Sequence, residues 1–479
     1  MNRPIRRVAI VAMVMFGLLL ANGTFTMVVR QDSLNANPLN RRTRDEEFAQ
    51  DRGPILAAQT QIAQTVPSKD QFQFQRTYPD GALYAPITGY YSYDHARSGL
   101  ESSMNQELAG TADSQLIRRV VDTVTGQKPT GASVETTINP KAQQAAAKAL
   151  GNRKGAVVAL DPRTGAVLAM VTSPSYDPNR IASHDLSDAN KAYQDLANDP
   201  NKPMANRAAR EIYPPGSTFK LVTAAAALEN GSRPDTMVAS PERLRLPQTN
   251  YDLTNDSNCG GANITLDRAL QVSCNTAFAN VGLELGADKL RAQAEKFGFG
   301  SRPLPELNAV ASRYPDNPDL PSTALTAIGQ HDVAATPLQM TMVTAAIANN
   351  GDLYEPYVVS TVRGANLTPI ETRKPRLRGR TMSQDNAKAL AQMMQNVVND
   401  GTGSNAQIRG TEVGGKTGTA QSDPKRPPYA WFTSYALDDK GQPAVAVTAF
   451  VEDADIQRSD IAGGRVAAPI AKAVMEAVL

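Results

Sequence analysis

Any fold open to this chain must bring together three motifs that lie far apart along it. They are Ser217-Thr218-Phe219-Lys220, Ser273-Cys274-Asn275 and Lys416-Thr417-Gly418-Thr419, in that order. Read as chemistry, they supply a serine nucleophile with a lysine base, a second hydroxyl, and a strand able to bind a carboxylate. Each motif is weak alone. Ser-x-x-Lys recurs at Ser422-Asp423-Pro424-Lys425, and Ser-x-Asn recurs at Ser33-Leu34-Asn35 and Ser103-Met104-Asn105. A lone match is ordinarily a solvated lysine or a capping serine, so the weight lies in order and context.

Context separates the copies. Tyr213-Pro214-Pro215-Gly216 is a rigid turn that ends just before Ser217. After it, Ser217 to Leu228 reads as a helix, with Phe219, Leu221, Val222 and an alanine run. Residues at i and i+3 share a helical face, which sets Lys220 beside Ser217. A serine hydroxyl is a weak nucleophile until a neighbouring base takes its proton. Lysine can be that base if its pKa is lowered, which burial and a second cation such as Lys416 would favour. The helix start adds backbone N–H groups near a developing oxyanion. At the second Ser-x-x-Lys, Pro424 would break a helix and separate Ser422 from Lys425.

Val413 to Ala420 looks like a strand stripped of bulk by glycine, and glycine in a strand often marks close approach of another backbone. A peptide could add to this edge by backbone hydrogen bonds. Its terminal carboxylate would then meet Lys416, Thr417 and Thr419.

With these motifs in place, the chain resembles class B penicillin-binding proteins of the penicillin-binding protein A type, from about Arg52 to the C-terminus. The likeness extends to Gly155–Met170 as an opening hairpin, to Pro174–Asn179, and to Asn206-Arg207-Ala208 before the nucleophile. It also takes in Gly329-Gln330, Ala335–Met340, Trp431-Phe432 and the short Arg52–Leu56 motif. The resemblance implies an α+β fold: a penicillin-binding/β-lactamase-like serine acyltransferase domain with an antiparallel sheet between helices. By it, Ser217 attacks the penultimate D-alanyl carbonyl of a peptidoglycan stem peptide, and a neighbouring stem peptide's amine then takes the acyl group. Lys220 would be the base, Ser273 would pass a proton to the leaving amine, and Asn275 would hold the substrate amide. Lys416, Thr417, Gly418 and Thr419 would bind the D-Ala-D-Ala end. The backbone N–H groups of Ser217 and Thr419 would form the oxyanion hole. β-Lactams would acylate Ser217 as mimics of that terminus. The family further suggests a membrane glycosyltransferase partner that polymerises the glycan.

Arg3, Arg6 and Arg7 precede an uncharged stretch from Val8 to Val29. At 1.5 Å per residue such a stretch spans roughly the 30 Å hydrocarbon core. The basic flank predicts a cytoplasmic N-terminus, a single-pass anchor in a bacterial membrane and an extracytoplasmic catalytic domain. A cleaved signal peptide competes, but Leu19-Leu20-Ala21 is a poor cleavage site. The expected domains are an anchor over 1–30, a non-catalytic pedestal over 31–150 and the transpeptidase domain over 151–479. Ala444 to Val451 reads as a core strand and Val466 to Leu479 as a terminal helix.

The two cysteines, Cys259 and Cys274, are expected to form a disulfide that closes the loop beside the active site, as an even pair in an exported domain can. The alternative is a small buried residue behind Ser273. His95, His184 and His331 are scattered and make neither a metal site nor a triad with Ser217. No cofactor is expected. A net charge of +2 gives no case for nucleic-acid binding, and Arg373 to Arg380 reads as a solvated loop. In Leu304-Pro305-Glu306-Leu307-Asn308, the family's class A lactamase relatives would begin the loop with a deacylating glutamate, and here that position is Leu304. This departure argues against efficient hydrolysis. The leading expectation is thus a D,D-transpeptidase, with a D,D-carboxypeptidase or weak β-lactamase as runner-up. A β-lactam sensor would need a way to signal inward, and only Met1 to Arg7 precede the apolar stretch. A structural scaffold in a wall-building complex is the remaining alternative.

Overall fold

The computed structural model describes residues 3–35, 41–115, 130–420, 426–453 and 461–479. The second Ser-x-x-Lys, at Ser422 to Lys425, lies outside the described residues. The chain opens with an apolar helix, Arg3–Val28, that buries none of its residues and is long enough to cross a membrane.

A five-stranded antiparallel sheet carries Lys416, Thr417, Gly418 and Thr419 on its edge strand. Its order is Val413–Ala420, Tyr429–Leu437, Pro443–Asp453, Lys154–Leu160, Val167–Ser173. The expected hairpin is the last pair, with Val157 opposite Val171. These strands are buried on both faces, which is why Val157, Val158 and Ala159 are apolar without alternation. On one face, Ala142, Ala146 and Leu150 of helix Pro140–Leu150 pack with Val474 and Met475 of helix Ala468–Val478 over Val157, Ala159, Val447 and Ala449. Asn139 starts the first of these helices, accepting from the Lys141 and Ala142 N–H groups ahead of Pro140. Helix Pro337–Ala348 covers the other face, where Thr344 Oγ1 lies 2.6 Å from Thr433 Oγ1. Helices on both sides of an antiparallel sheet make the fold α+β.

A second sheet has six strands in the order Pro369–Thr372, Val359–Arg363, Ser133–Thr136, Ile55–Ala57, Thr60–Pro67, Phe74–Thr77. Segments from both sides of residue 150 therefore share one sheet: Val362 pairs with Val134, and Val134 with Ile55. The Arg52-Gly53-Pro54 motif lies against it. A Cβ on Gly53 would stand 1.9 Å from Ala132 O, so only glycine fits. Arg52 is buried, and its Nε donates to Glu101 Oε2 at 2.6 Å. Arg76 Nε donates to Glu101 Oε1 at 2.6 Å, and Tyr78 Oη to the same oxygen at 3.2 Å. Burial alone would raise the Glu101 carboxyl, but Arg76 and Arg52 outweigh it and hold it below its ordinary value.

Two expectations need correction. Arg373 to Arg380 is not wholly a loop: strand Leu377–Arg380 pairs with Asp352–Tyr354, and Arg380 Nε bonds Asp352 Oδ1 at 2.9 Å. The terminal helix starts at Ala468, after a short turn of helix over Gly463–Val466.

Candidate active site

The site lies where the edge strand Val413–Ala420 meets the turn before helix Lys220–Glu229. Gly216 adopts a left-handed φ of 53°, and its N–H donates to Gly329 O at 2.9 Å. A Cβ on Gly329 would stand 2.1 Å from Gly216 O, so these two backbones touch and both positions require glycine. The helix expected from Ser217 begins instead as a 3₁₀ turn, Gly216–Phe219, and continues as an α-helix over Lys220–Glu229. Ser217 therefore sits in the first turn, where backbone N–H groups lack intrahelical partners. The seryl residue is 8% exposed, and its Oγ has no hydrogen-bond partner among the described residues.

Lys220 and Lys416 are both fully buried. Lys220 Nζ donates to Ser273 O and to Asn275 Oδ1, each at 2.8 Å, and lies 3.3 Å from Ser273 Oγ. Lys416 Nζ donates to Ser273 Oγ at 2.8 Å and to Thr417 O at 3.0 Å. Sequence spacing places Lys220 beside Ser217, but the amine is held by the second motif rather than by the serine. All three of its hydrogen-bond contacts among the described residues go to the second motif. Burial, and then the Lys416 charge, push the Lys220 amine well below its ordinary value against an opposing pull from Asp256. Burial likewise brings Lys416 down to about 7, again opposed by Asp256.

The second motif is tightly tied. Ser273 has a left-handed φ of 60°, uncommon outside glycine. Cys274 is joined to Cys259 by a disulfide with Cα atoms 5.6 Å apart. Asn275 opens helix Asn275–Leu285, and its Nδ2 donates to Thr254 O at 3.2 Å and Asp256 Oδ2 at 3.4 Å.

On the edge strand, the glycines make room for the protein itself. Cβ atoms on Gly414 and Gly415 would stand 2.3 Å from Tyr435 Cε1 and 2.5 Å from Phe432 Cζ. One on Gly418 would stand 2.9 Å from Thr218 Cγ2 and 3.0 Å from Pro215 O. The expectation that these glycines clear a path for another backbone thus holds for Gly418, and the backbone is that of the nucleophile's own turn. Thr417 Oγ1 lies 2.7 Å from Thr402 Oγ1, and Thr419 precedes the strand's last residue.

Sequence reasoning did not single out Asp256 or Thr402. Asp256 lies in a polar loop with no motif of its own, and Thr402 carries only the Gly401 and Gly403 neighbours as a signal. The histidines lie elsewhere: His95 stacks on Tyr193, His184 contacts Asp70, and His331 lies 3.6 Å from Asp332. Among the described residues no three potential ligands cluster to hold a metal. Leu304 is buried, and the following turn, Pro305–Leu307, packs on helix Gly99–Ser103 of the N-terminal region.

A serine at a helix start, with a second motif whose hydroxyl is bracketed by two buried lysines, is built to accept and pass on acyl groups: fold and site define a serine acyltransferase. Residues 155–476 match the penicillin-binding protein transpeptidase domain, and residues 52–134 match the penicillin-binding protein A dimerisation domain. The chain belongs to the penicillin-binding protein transpeptidase family, in its penicillin-binding protein A branch. It is 42% identical to the peptidoglycan D,D-transpeptidase PbpA of Mycolicibacterium smegmatis, over 100% of this chain and 99% of that protein. It is 40% identical to PbpA of Mycobacterium tuberculosis over the same shares. A ceftriaxone acyl-enzyme of the M. tuberculosis penicillin-binding protein A superposes with a TM-score of 0.87 at 39% identity, covering 91% of this chain and 100% of that one. A penicillin G acyl-enzyme of the same protein gives 0.84 at 39% identity, covering 89% and 99%.

Proposed function

We propose that this chain is a peptidoglycan D,D-transpeptidase that crosslinks stem peptides through an acyl-enzyme on Ser217, and that β-lactams acylate the same serine. The observation that carries the reading is the convergence of Lys220 and Lys416 on Ser273 Oγ at 3.3 and 2.8 Å. It gives a chain of proton-carrying groups alongside the nucleophile. Lys220, buried and depressed in pKa, takes the Ser217 proton as Oγ bonds the penultimate D-alanyl carbonyl carbon. The backbone N–H groups of Ser217 and Thr419 receive the oxyanion. The C–N bond then breaks, Ser273 passes its proton to the leaving D-alanine amine and regains one from Lys220, and the acyl group remains on Ser217. The amine of a second stem peptide attacks that ester, loses a proton to the same base, and restores the serine.

In this reading Lys416, Thr417, Gly418 and Thr419 receive the D-Ala-D-Ala carboxylate, and Asn275 meets the substrate amide. The helix Arg3–Val28 anchors the chain in a bacterial membrane with its catalytic domain outside. Residues 31–150 act as a non-catalytic pedestal for the transpeptidase domain over 151–479, with the strands at 359–372 returning to brace it. A membrane glycosyltransferase supplies the glycan strands whose peptides are joined. The absence of a glutamate at Leu304 supports a long-lived acyl-enzyme that awaits an amine.

Intact-mass measurement after penicillin G, followed by digestion, tests the nucleophile. The expected adduct sits on the peptide containing Ser217. No adduct, or one on another peptide, overturns the assignment. Incubation with a D-Ala-D-Ala peptide and an acceptor amine should give a crosslinked product beyond simple hydrolysis.

A further inference from the structure

The loop after strand Asp252–Thr254 is fastened to the second motif residue by residue. Thr254 O accepts from Asn275 Nδ2 at 3.2 Å. Asn255 Oδ1 accepts from the Thr276 N–H at 2.9 Å, while Asn255 Nδ2 donates to Thr276 Oγ1 at 3.0 Å. Asp256 Oδ2 accepts from Asn275 Nδ2 at 3.4 Å, and Cys259 is bonded to Cys274. These ties hold one carboxylate beside two buried lysines. They also settle the Asn275 amide: with Nδ2 facing Thr254 and Asp256, Oδ1 faces Lys220.

The lysines pose a charge problem. Both reach Ser273 Oγ, and two ammonium ions around one hydroxyl in a buried site repel each other. Acylation needs a lone pair on one of them, and binding a carboxylate needs a charge on the other. The titratable groups that act on Lys220 are Lys416 and Asp256, and Asp256 also acts on Lys416. Asp256 itself is exposed and has no ion-pair partner within 4.0 Å among the described residues. Its carboxylate is tied to the Asn275 amide, which itself holds Lys220, and its charge acts on both lysines.

We propose that Asp256 is a positioning residue of this acyltransferase: its carboxylate orients the Asn275 amide toward Lys220 and is the counter-charge that keeps a proton on Lys416. The inference rests on the transpeptidase reading. It divides the labour of the two lysines. Lys416 stays cationic for the terminal carboxylate of the peptide, and Lys220 keeps its lone pair for the Ser217 proton. Asp256 acts through Asn275 and Lys416 and does not itself exchange a proton with substrate.

The test is the pH profile of Ser217 acylation by penicillin G, which carries a carboxylate, in wild type, Asp256→Asn, Asp256→Ala and Asp256→Glu. Asp256→Asn keeps an acceptor for Asn275 and removes only the charge. Without that charge Lys416 loses its proton at lower pH, so the high-pH limb should move acidward by roughly half a unit or more in the Asn and Ala variants. Asp256→Glu should keep the limb near the wild-type position. A limb that stays put in Asp256→Asn, or a lower plateau in Asp256→Ala with an unmoved limb, overturns the proposal, because a purely structural tie would behave so. Absence of a Ser217 adduct in the wild type would instead overturn the transpeptidase reading beneath it.

Discussion

Lys416 Nζ stands 2.8 Å from Ser273 Oγ, so a strand of the sheet and the Ser-Cys-Asn turn meet across the cleft through one hydrogen bond. This contact closes a circuit from Lys220 through Ser273 to Lys416 and leaves Ser217 Oγ outside it, without a hydrogen-bond partner among the described residues.

That unpaired hydroxyl makes Ser217→Ala a clean variant. It should abolish covalent penicillin adducts in intact-mass spectra. Because no hydrogen bond is lost, its stability should lie within about 0.5 kcal/mol of wild type by urea denaturation.

Lys416 predicts a pH dependence of stability. Folded, its pKa is lowered to about 7 from an ordinary 10.5. Below pH 7 both states hold the proton, and the folded state bears the full burden of a buried charge. Between 7 and 10.5 the unfolded state binds more protons, so stability must rise with pH. Denaturation midpoints of wild type should climb across this window. Lys416→Met should climb less and should not form acyl-enzyme at the wild-type rate.

Gly418 predicts a steric effect. In Gly418→Ala the new methyl would press on Thr218 and Pro215, forcing the edge strand from the nucleophile's turn. Penicillin acylation should slow by about tenfold or more, since small displacements of reacting groups are costly. Stopped-flow acylation rates check this, and an unchanged rate would show that the strand and turn move together.

Removing the disulfide by Cys259→Ser with Cys274→Ser opens a loop whose ends are 15 residues apart in sequence. The expected loss is about 3 kcal/mol in a chain-entropy account. Acylation should slow as well, because Ser273 and Asn275 flank Cys274. Thiol titration of denatured, unreduced wild type should find no free thiol.

Glu101 offers a contrast away from the cleft. Glu101→Gln leaves Arg52 and Arg76 buried without their shared anion, and such losses cost about 3–5 kcal/mol. Chemical denaturation should show that loss while the folded protein acylates at the wild-type rate.

Much of the architecture is legible locally. The Pro214-Pro215-Gly216 turn announces the buried helix, Asn139-Pro140 announces the start of another, and apolar runs at Val157 and Val445 announce core strands. What stays hidden depends on distant partners. Nothing near Val359 says that it will pair with Thr136, because strand pairing across such a separation leaves no periodic trace. The i, i+3 rule puts Lys220 on the face of Ser217, yet it cannot say that the amine will turn to Ser273 and Asn275. Asp256 was illegible for the same reason: its meaning comes from the groups that the folded loop sets beside it.

The return of Val359–Arg363 to the N-terminal sheet has a consequence for how the molecule can be made or cut. Ser133–Thr136 acquires its second neighbour only when the chain has been delivered past residue 363. Until then that strand is a raw edge, offering its backbone to any passing strand. A fragment ended at residue 150 would keep the edge permanently and should be sticky, whereas the whole chain seals it from within.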